Sequence, residues 1–337
     1  MKNTFLALAL ALFAVTSAHS KVIFVKEAAR GNGTSWIDAL GDLQKALTQA
    51  VPGDEIWVSE GTYYPVNCRK CTFDQRKISF DIPNGVKLYG GFAGFETSLN
   101  QRKWYANPTR LSGNIGDPDI WDNSFTVVTT AHVGSETLLD GFVISDGYAD
   151  GKAEEGNPLR AGGGWYNDGS GAGKSSDPTI RNCVFLNNYA QEGGAFYHHA
   201  SGGGCSPEIV NCSFVSNRAE RGGGAIFING EEGYSKMKMK KGKFVNNEAP
   251  FGGAVFVAGH FGDGMVEFAS THFVNNKALA GSALFSLGQP LKNQPAFFLC
   301  EFFNNISQEG DEVFFPPGNQ VPERLMAFRT VQVGGRI

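Results

Sequence analysis

The sequence predicts an all-β fold, a single-stranded parallel β-helix with an N-terminal helix capping one end. Three observations predict it. A phrase Phe-x-x-Asn begins at Phe185, Phe214, Phe244, Phe273 and Phe302 and ends at Asn188, Asn217, Asn247, Asn276 and Asn305, so the asparagines step by 29, 30, 29 and 29 residues. A second phrase follows each in register: Gly193-Gly194-Ala195-Phe196, Gly223-Gly224-Ala225-Ile226, Gly252-Gly253-Ala254-Val255, Gly281-Ser282-Ala283-Leu284, and a decayed Gly310-Asp311-Glu312-Val313. The chain is rich in Gly (44) and Phe (27) over 337 residues, which suits short strands with tight corners better than helical bundles. Repetition at one fixed period marks a stacked repeat architecture.

Strand alternation reads directly from the columns. Two places before each Phe stand Cys183, Cys212, Gly242, Thr271 and Cys300, all small. Between them and the Phe lie Val184, Ser213, Lys243, His272 and Glu301, mostly polar. Successive strand residues point to opposite faces, so the small and Phe columns face inward and the mixed column outward. Equivalent residues of adjacent coils then stack about 4.8 Å apart. Phe185, Phe214, Phe244, Phe273 and Phe302 form an inner stack. Each Asn can bond to the next coil at a corner and satisfy buried backbone groups. The Gly pair permits a corner with positive φ. The Lys-rich stretch at Lys236, Lys238, Lys240, Lys241 and Lys243, interleaved with Met237 and Met239, reads as a strand with Lys to water and Met to the core. With a net charge of −4, no nucleic-acid partner is indicated.

Residues 1–20, MKNTFLALALALFAVTSAHS, have a positive start, an apolar run too short to span a bilayer and a small-x-small Ala18-His19-Ser20 site. They read as a secretory signal peptide, with residues 21–337 the mature domain. No later run of about 20 apolar residues predicts a membrane helix. Within 21–65, Trp36, Leu40, Leu43 and Leu47 are spaced for one helical face with Ser35 as N-cap, and Pro52-Gly53 stops the helix. Such a helix would cover the open end of the solenoid. Strands are expected in EIWVSEGTYY (55–64), VKLYGGF (86–92), FTVVTT (125–130) and LLDGFVIS (138–145). Residues 66–180 are irregular coils with long loops at 65–77, 93–123, 146–161 and 167–177. The regular coils occupy 181–315, and 316–337 is a C-terminal cap or tail.

The paired phrases resemble the repeats of the polymorphic outer membrane protein family over roughly 183–313. The stretch GNGTSWIDALGDLQKALTQAVPGDEIWVSEGTYYP (31–65) is similar to the start of many bacterial β-helix surface proteins. The resemblance implies a right-handed coil, export and an adhesin-like role at the outer membrane or cell surface. Members of that family usually carry a large C-terminal translocator barrel. Only a short tail follows the last repeat here, so their export route is not carried over.

The right-handed β-helix is also the pectate-lyase-like scaffold, so catalysis has to be argued from residues. No Asp-Asp pair provides the two carboxylates of a glycosidase. Gly259-His260-Phe261-Gly262 departs from the Gly-His-Gly of polygalacturonase-like sequences. The best cluster for a base with a charge neutraliser is Asp140, Asp146, Asp150, Lys152 and Arg160, with Tyr197 and His198-His199 one coil on. A solvated loop with surface charges explains the same residues. Trp104, Tyr105, Trp121, Trp165 and Tyr166 could stack on sugar rings or pack under loops. Asp117, Asp119 and Asp122 crowd oxygen ligands of the calcium type into one loop, and an Asp-rich turn accounts for them equally. No other cofactor is indicated. Cys68 and Cys71 suit a local disulfide, because no second pair completes a zinc site. Cys183 and Cys212 are either bridged between coils or small core residues. The leading expectation is a non-catalytic secreted protein that binds an extracellular polysaccharide or another cell-surface component. A polysaccharide lyase or hydrolase and a purely structural envelope protein are the alternatives.

Overall fold

A computed structural model describes residues 20–66, 68, 71–259, 263–288, 295–309 and 312–314, together with the backbone of 329–330. The signal segment, the His260-Phe261-Gly262 triplet and the tail beyond 315, apart from that backbone pair, lie outside the described residues. The chain folds as a parallel β-solenoid of about nine turns, with ten-, nine- and eight-stranded sheets running its length. One α-helix is present among the described residues.

A central coil shows the path. Glu208–Val210 lies in the first sheet, Ser213–Val215 in the second, Arg218–Gly222 in a short sheet at a corner, and Ile226–Asn229 in the third. The chain then re-enters the first sheet at Tyr234–Lys240. Each strand pairs in parallel with its equivalent one coil on, and the register holds: Phe185 pairs Phe214, Phe214 pairs Phe244, Phe244 pairs Phe273 and Phe273 pairs Phe302. These rings stack with centroids 4.7–5.0 Å apart. Tyr234–Lys240 alternates strictly, with Met237 and Met239 buried and the lysines exposed.

The asparagines form a continuous ladder. Asn217 Oδ1 accepts from Asn188 N at 3.0 Å and Asn188 Nδ2 at 3.1 Å. Asn217 Nδ2 donates back to Phe185 O and forward to Asn247 Oδ1, both at 3.0 Å. The same four bonds recur at Asn247 and Asn276, and Asn305 ends the run. An amide has two acceptor sites and two donors, so each interior rung uses all four.

Corners depend on left-handed backbone. Gly193, Gly223, Gly252 and Gly281 have φ of 61–65°, where glycine carries no Cβ penalty. Two further corners per coil use other residues: Asn182, Asn211, Lys241, Ser270 and Leu299 before the second sheet, and Asn187, Ser216, Asn246, Asn275 and Asn304 after it. Asn tolerates this region better than other L-residues.

The N-terminal half departs from the sequence reading in several places: EIWVSEGTYY, for one, is two strands in different sheets, Glu55–Ser59 and Gly61–Tyr63. The helix is Leu43–Gln49, and Asp42, not Ser35, is its N-cap, its Oδ1 accepting from Gln44 N at 2.8 Å. Trp36 precedes the helix, packs on Phe24 and Phe92, and donates Nε1 to Glu96 O at 2.8 Å. LLDGFVIS is two strands, Leu138–Asp140 and Phe142–Ser145, bent into different sheets at Gly141 (φ 86°). The 93–123 stretch is not one loop: Thr109–Ser112 pairs between Gly61–Tyr63 and Phe142–Ser145.

Asn247→Ala removes four bonds and deprives the buried Asn217 N of its acceptor. It should cost about 3 kcal/mol or more in urea unfolding, against within about 0.5 kcal/mol for exposed Lys243→Ala. Leu299 is 62% exposed at φ 51°, so Leu299→Asn should raise stability by roughly 0.5–1 kcal/mol by relieving that backbone strain. Equal midpoints for Asn247→Ala and the parent would overturn the ladder's energetic role.

Candidate functional site

The outward face of the third sheet is where chemically distinct side chains converge. In Phe196–His199, Phe196 and His198 point inward and Tyr197 and His199 outward, as alternation requires. Coil by coil, one outward column is Tyr166, Tyr197, Phe227, Phe256, Phe285 and Phe314. Their rings stack at 4.6–5.5 Å. Stacking consumes the ring faces and leaves at most a narrow edge toward solvent at Phe227, Phe256 and Phe285, and none at Tyr197. The neighbouring column is Asp168, His199, Asn229, Ala258 and Leu287, polar at one end and apolar at the other.

A cleft of about 360 Å³ opens on this face. It is lined by the rings of Tyr197, Phe227 and Phe256 and by the polar side chains of Glu155, Arg221, Asn229 and Glu231. Asn229 is held in place, its Nδ2 donating to Tyr197 Oη at 3.0 Å and its Oδ1 accepting from Glu231 N at 3.0 Å. Beneath the cleft, the carboxylate of Glu192 is wholly buried and bonded to Arg160, with Nε donating at 3.1 Å and Nη2 as second donor. Burial pushes the Glu192 carboxyl up, and the Arg160 bonds oppose that shift.

At the polar end, Tyr166 Oη lies 2.6 Å from Gly156 O and against His199 Nδ1. A carbonyl oxygen can only accept, so the tyrosine proton belongs to Gly156. His199 Nδ1 must then carry its own hydrogen and donate to Oη. Asp168 Oδ1, 3.7 Å away, faces that same nitrogen. The tautomer so fixed leaves Nε2 with a free lone pair on a side chain 25% exposed. Burial pushes the His199 pKa below its usual value, with Asp168 opposing, so the ring is neutral near pH 7.

The residues grouped as a possible catalytic set are not brought together. Asp140, on the first sheet, pairs with Arg102 at 2.8 Å and accepts from Asn182 Nδ2 at 2.8 Å. Asp146 sits at a corner with φ 66°, accepting from Ser112 Oγ and Ser145 Oγ. Asp150 pairs with Arg76 at 2.6 Å, and Arg160 is committed to Glu192. Lys152 is exposed on the loop. Each carboxylate is satisfied by a partner of its own; of the residues grouped with them, Tyr197 lines the cleft, and His199 stands one coil from its lining residue Asn229.

The aromatic candidates divide similarly. Trp165 has no exposed surface and donates Nε1 to Thr130 Oγ1 at 2.8 Å, and Tyr166 is 5% exposed. Neither offers a face to a sugar. Trp104 is half-buried against Tyr105, while Trp121 (65% exposed) packs edge-on to Tyr148. They form no common platform with the cleft. Asp117 and Asp119 are exposed, and Asp119 caps Trp121 N at 3.0 Å. Cys68 and Cys71 are joined by a disulfide with Cα atoms 5.5 Å apart. Cys183, Cys205, Cys212 and Cys300 are free, buried thiols.

Sequence reasoning missed Arg221, Asn229, Glu231 and the outer aromatic column. The signal was present: an aromatic stands just after the Gly-Gly-Ala phrase at Tyr197, Phe227, Phe256 and Phe285, one place beyond an inward residue. Compared with known proteins, the chain matches no family model and no curated protein. Among the described residues no helix is long and apolar enough to cross a membrane.

His198 is fully buried with neither ring nitrogen bonded among the described residues, and burial pulls its pKa to about 3. Its folded pKa lies below the unfolded value of about 6.5, so its stabilising contribution is lost as pH falls through that window. The loss approaches about 1.4 kcal/mol per pH unit. His198→Leu should therefore show a flatter stability profile than the parent between pH 6.5 and pH 3. Parallel profiles would show that His198 is not buried neutral. Trp165→Ala should cost about 3–5 kcal/mol of stability, a packing effect measurable by denaturant unfolding.

Proposed function

We propose that this protein is exported and acts without catalysis, holding an extended glycan or another cell-surface component along the outer face of its third sheet. The cleft lined by Arg221, Asn229 and Glu231 over aromatic edges carries this reading. A stack of parallel coils supplies a long rigid face, and ordered polar groups beside apolar edges suit a polyhydroxylated chain. The pairing of Asp140, Asp146, Asp150 and Arg160 with structural partners favours binding over turnover. Export is supported by the sequence of residues 1–20 and by the Cys68–Cys71 disulfide, a bond of oxidising compartments. In keeping with the repeats it resembles, we read the coil as right-handed and the helix Leu43–Gln49 as the cap of its first turn.

A second reading rests on His199. Its free Nε2, set by Tyr166 and Gly156, has the form of a general base for a polysaccharide lyase or hydrolase.

Purified protein passed over immobilised acidic and neutral polysaccharides should be retained on at least one, with no new chain ends in solution. Arg221→Ala and Asn229→Ala should abolish retention, and Lys243→Ala, on another sheet, should leave it unchanged. Passage through every column, or equal retention of all variants, would sink the cleft as binding site. New chain ends that vanish in folded His199→Ala would establish the enzymatic reading instead.

A further inference from the structure

The charges that line the third-sheet cleft do not balance. Glu155, Glu192 and Glu231 bring carboxylates to its lining, and Arg221 is the cation among them. Arg160, beneath, is committed to Glu192. Arg221 is held between two acids, its Nε 3.7 Å from Glu192 Oε1 and its Nη1 3.9 Å from Glu155 Oε2. Glu231 is exposed and bonds Asn229 and Gly202 through its backbone, while its carboxylate has no partner among the described residues. Two guanidinium groups therefore face three carboxylates, and Glu231 is the one in excess.

The three carboxylates bear on one place. The Tyr197 hydroxyl accepts from Asn229 Nδ2 at 3.0 Å, and Asn229 Oδ1 accepts from Glu231 N at 3.0 Å. Burial pushes the Tyr197 pKa up, the Asn229 bond opposes that shift, and the charges of Glu192, Glu155 and Glu231 all add to it. Acids from three separate segments of the chain thus act on a single buried oxygen at the cleft.

This balance selects the charge of the occupant. An anionic polymer would have to displace Glu155 or Glu192 from Arg221, and it would meet Glu231 with like charge. A neutral polymer would leave Glu231 unmatched. A cation cannot be held by the aromatic column, because Tyr197, Phe227 and Phe256 are stacked and a ring edge is the positive part of its quadrupole. It must be held by a carboxylate, which only accepts hydrogen bonds, so the ligand must bring N–H donors. The rest of the lining is apolar at Phe256, Ala258 and Leu287, which suits the C–H face of a sugar ring. Building on the glycan-binding reading above, we propose that the cleft selects a glycan of amino sugars, with a protonated amine donating to Glu231 and the ring lying along Phe256, Ala258 and Leu287.

Titration calorimetry with three oligosaccharides of equal length tests this: glucosamine oligomers, the same oligomers N-acetylated, and galacturonate oligomers. At about pH 5.5 ordinary Glu side chains are ionised and the sugar amines protonated. The purified protein should bind the free-amine oligomers most tightly, the acetylated ones more weakly and the galacturonates least. Glu231→Gln should weaken free-amine binding by about three- to tenfold, the scale of one charged contact open to solvent, and leave acetylated binding unchanged. Glu267→Gln, which removes the same charge from the first sheet, should bind like the parent. Acetylated or galacturonate oligomers binding as tightly as the free amine would overturn the proposal while leaving a glycan-binding cleft in place. Free-amine binding untouched by Glu231→Gln would do the same. Oligolysine bound as tightly as the amino sugar, and equally sensitive to Glu231→Gln, would assign the cleft to a basic peptide and overturn it. Binding of none of the three oligosaccharides would remove the glycan reading and this proposal together.

Discussion

From Asn188 to Asn305 a stacked side-chain amide sits at the same corner of every coil, and each interior one uses all of its hydrogen-bonding capacity. That corner is buried, so the amide cannot fall back on water. The requirement fixes register: a coil displaced by one residue would carry its asparagine out of the ladder, strand its neighbours' amides, and turn its inward column outward. The Phe stack beside the ladder depends on the same alignment. Hydrophobic burial supplies most of the stabilisation, but apolar contact alone is non-directional. The ladder supplies the direction.

Once register is fixed, the outer faces follow. Every column that faces solvent is a row of residues at one repeat position, so the surface is patterned in strips. The third sheet carries an aromatic strip beside one that changes from Asp168 and His199 through Asn229 to Leu287. The cleft lies where this strip changes character, with Arg221 and Glu231 supplied from adjoining turns. Its rigidity comes from the core beneath, including the buried Arg160–Glu192 pair, which is costly to break because Arg160 alone would lose its only paired carboxylate and Glu192 would keep just the more distant Arg221 at 3.7 Å.

Much of this was legible in the sequence because strand alternation and repeat spacing are local rules. The inner Phe column, the glycine corners and the Lys/Met strand could be read by counting. Even the burial of Trp165 was readable: Gly162-Gly163-Gly164-Trp165 aligns with Gly193-Gly194-Ala195-Phe196, and Phe196 faces in. What could not be read was pairing between coils in the irregular half. Arg102 finds Asp140, and Arg76 finds Asp150, across separations that no spacing rule encodes. The corner residues Lys241, Ser270 and Leu299 hold left-handed backbone without a sequence signature, since neighbouring coils impose it.

The left-handed corners carry a further consequence. Three sharp turns per coil leave the sheets no slack, and the paired asparagines step by 29 or 30 residues with little room for other values. Length varies where the chain passes between sheets, as in the loop that joins Phe142–Ser145 to Trp165–Asp168 and the Gly204–Cys205 excursion before Glu208–Val210. Such a molecule can grow by duplicating a whole turn, which regenerates every contact at the seam. It tolerates a lone inserted residue poorly inside one. Its genetic unit of change is therefore the complete coil, and the solenoid acts as its own ruler.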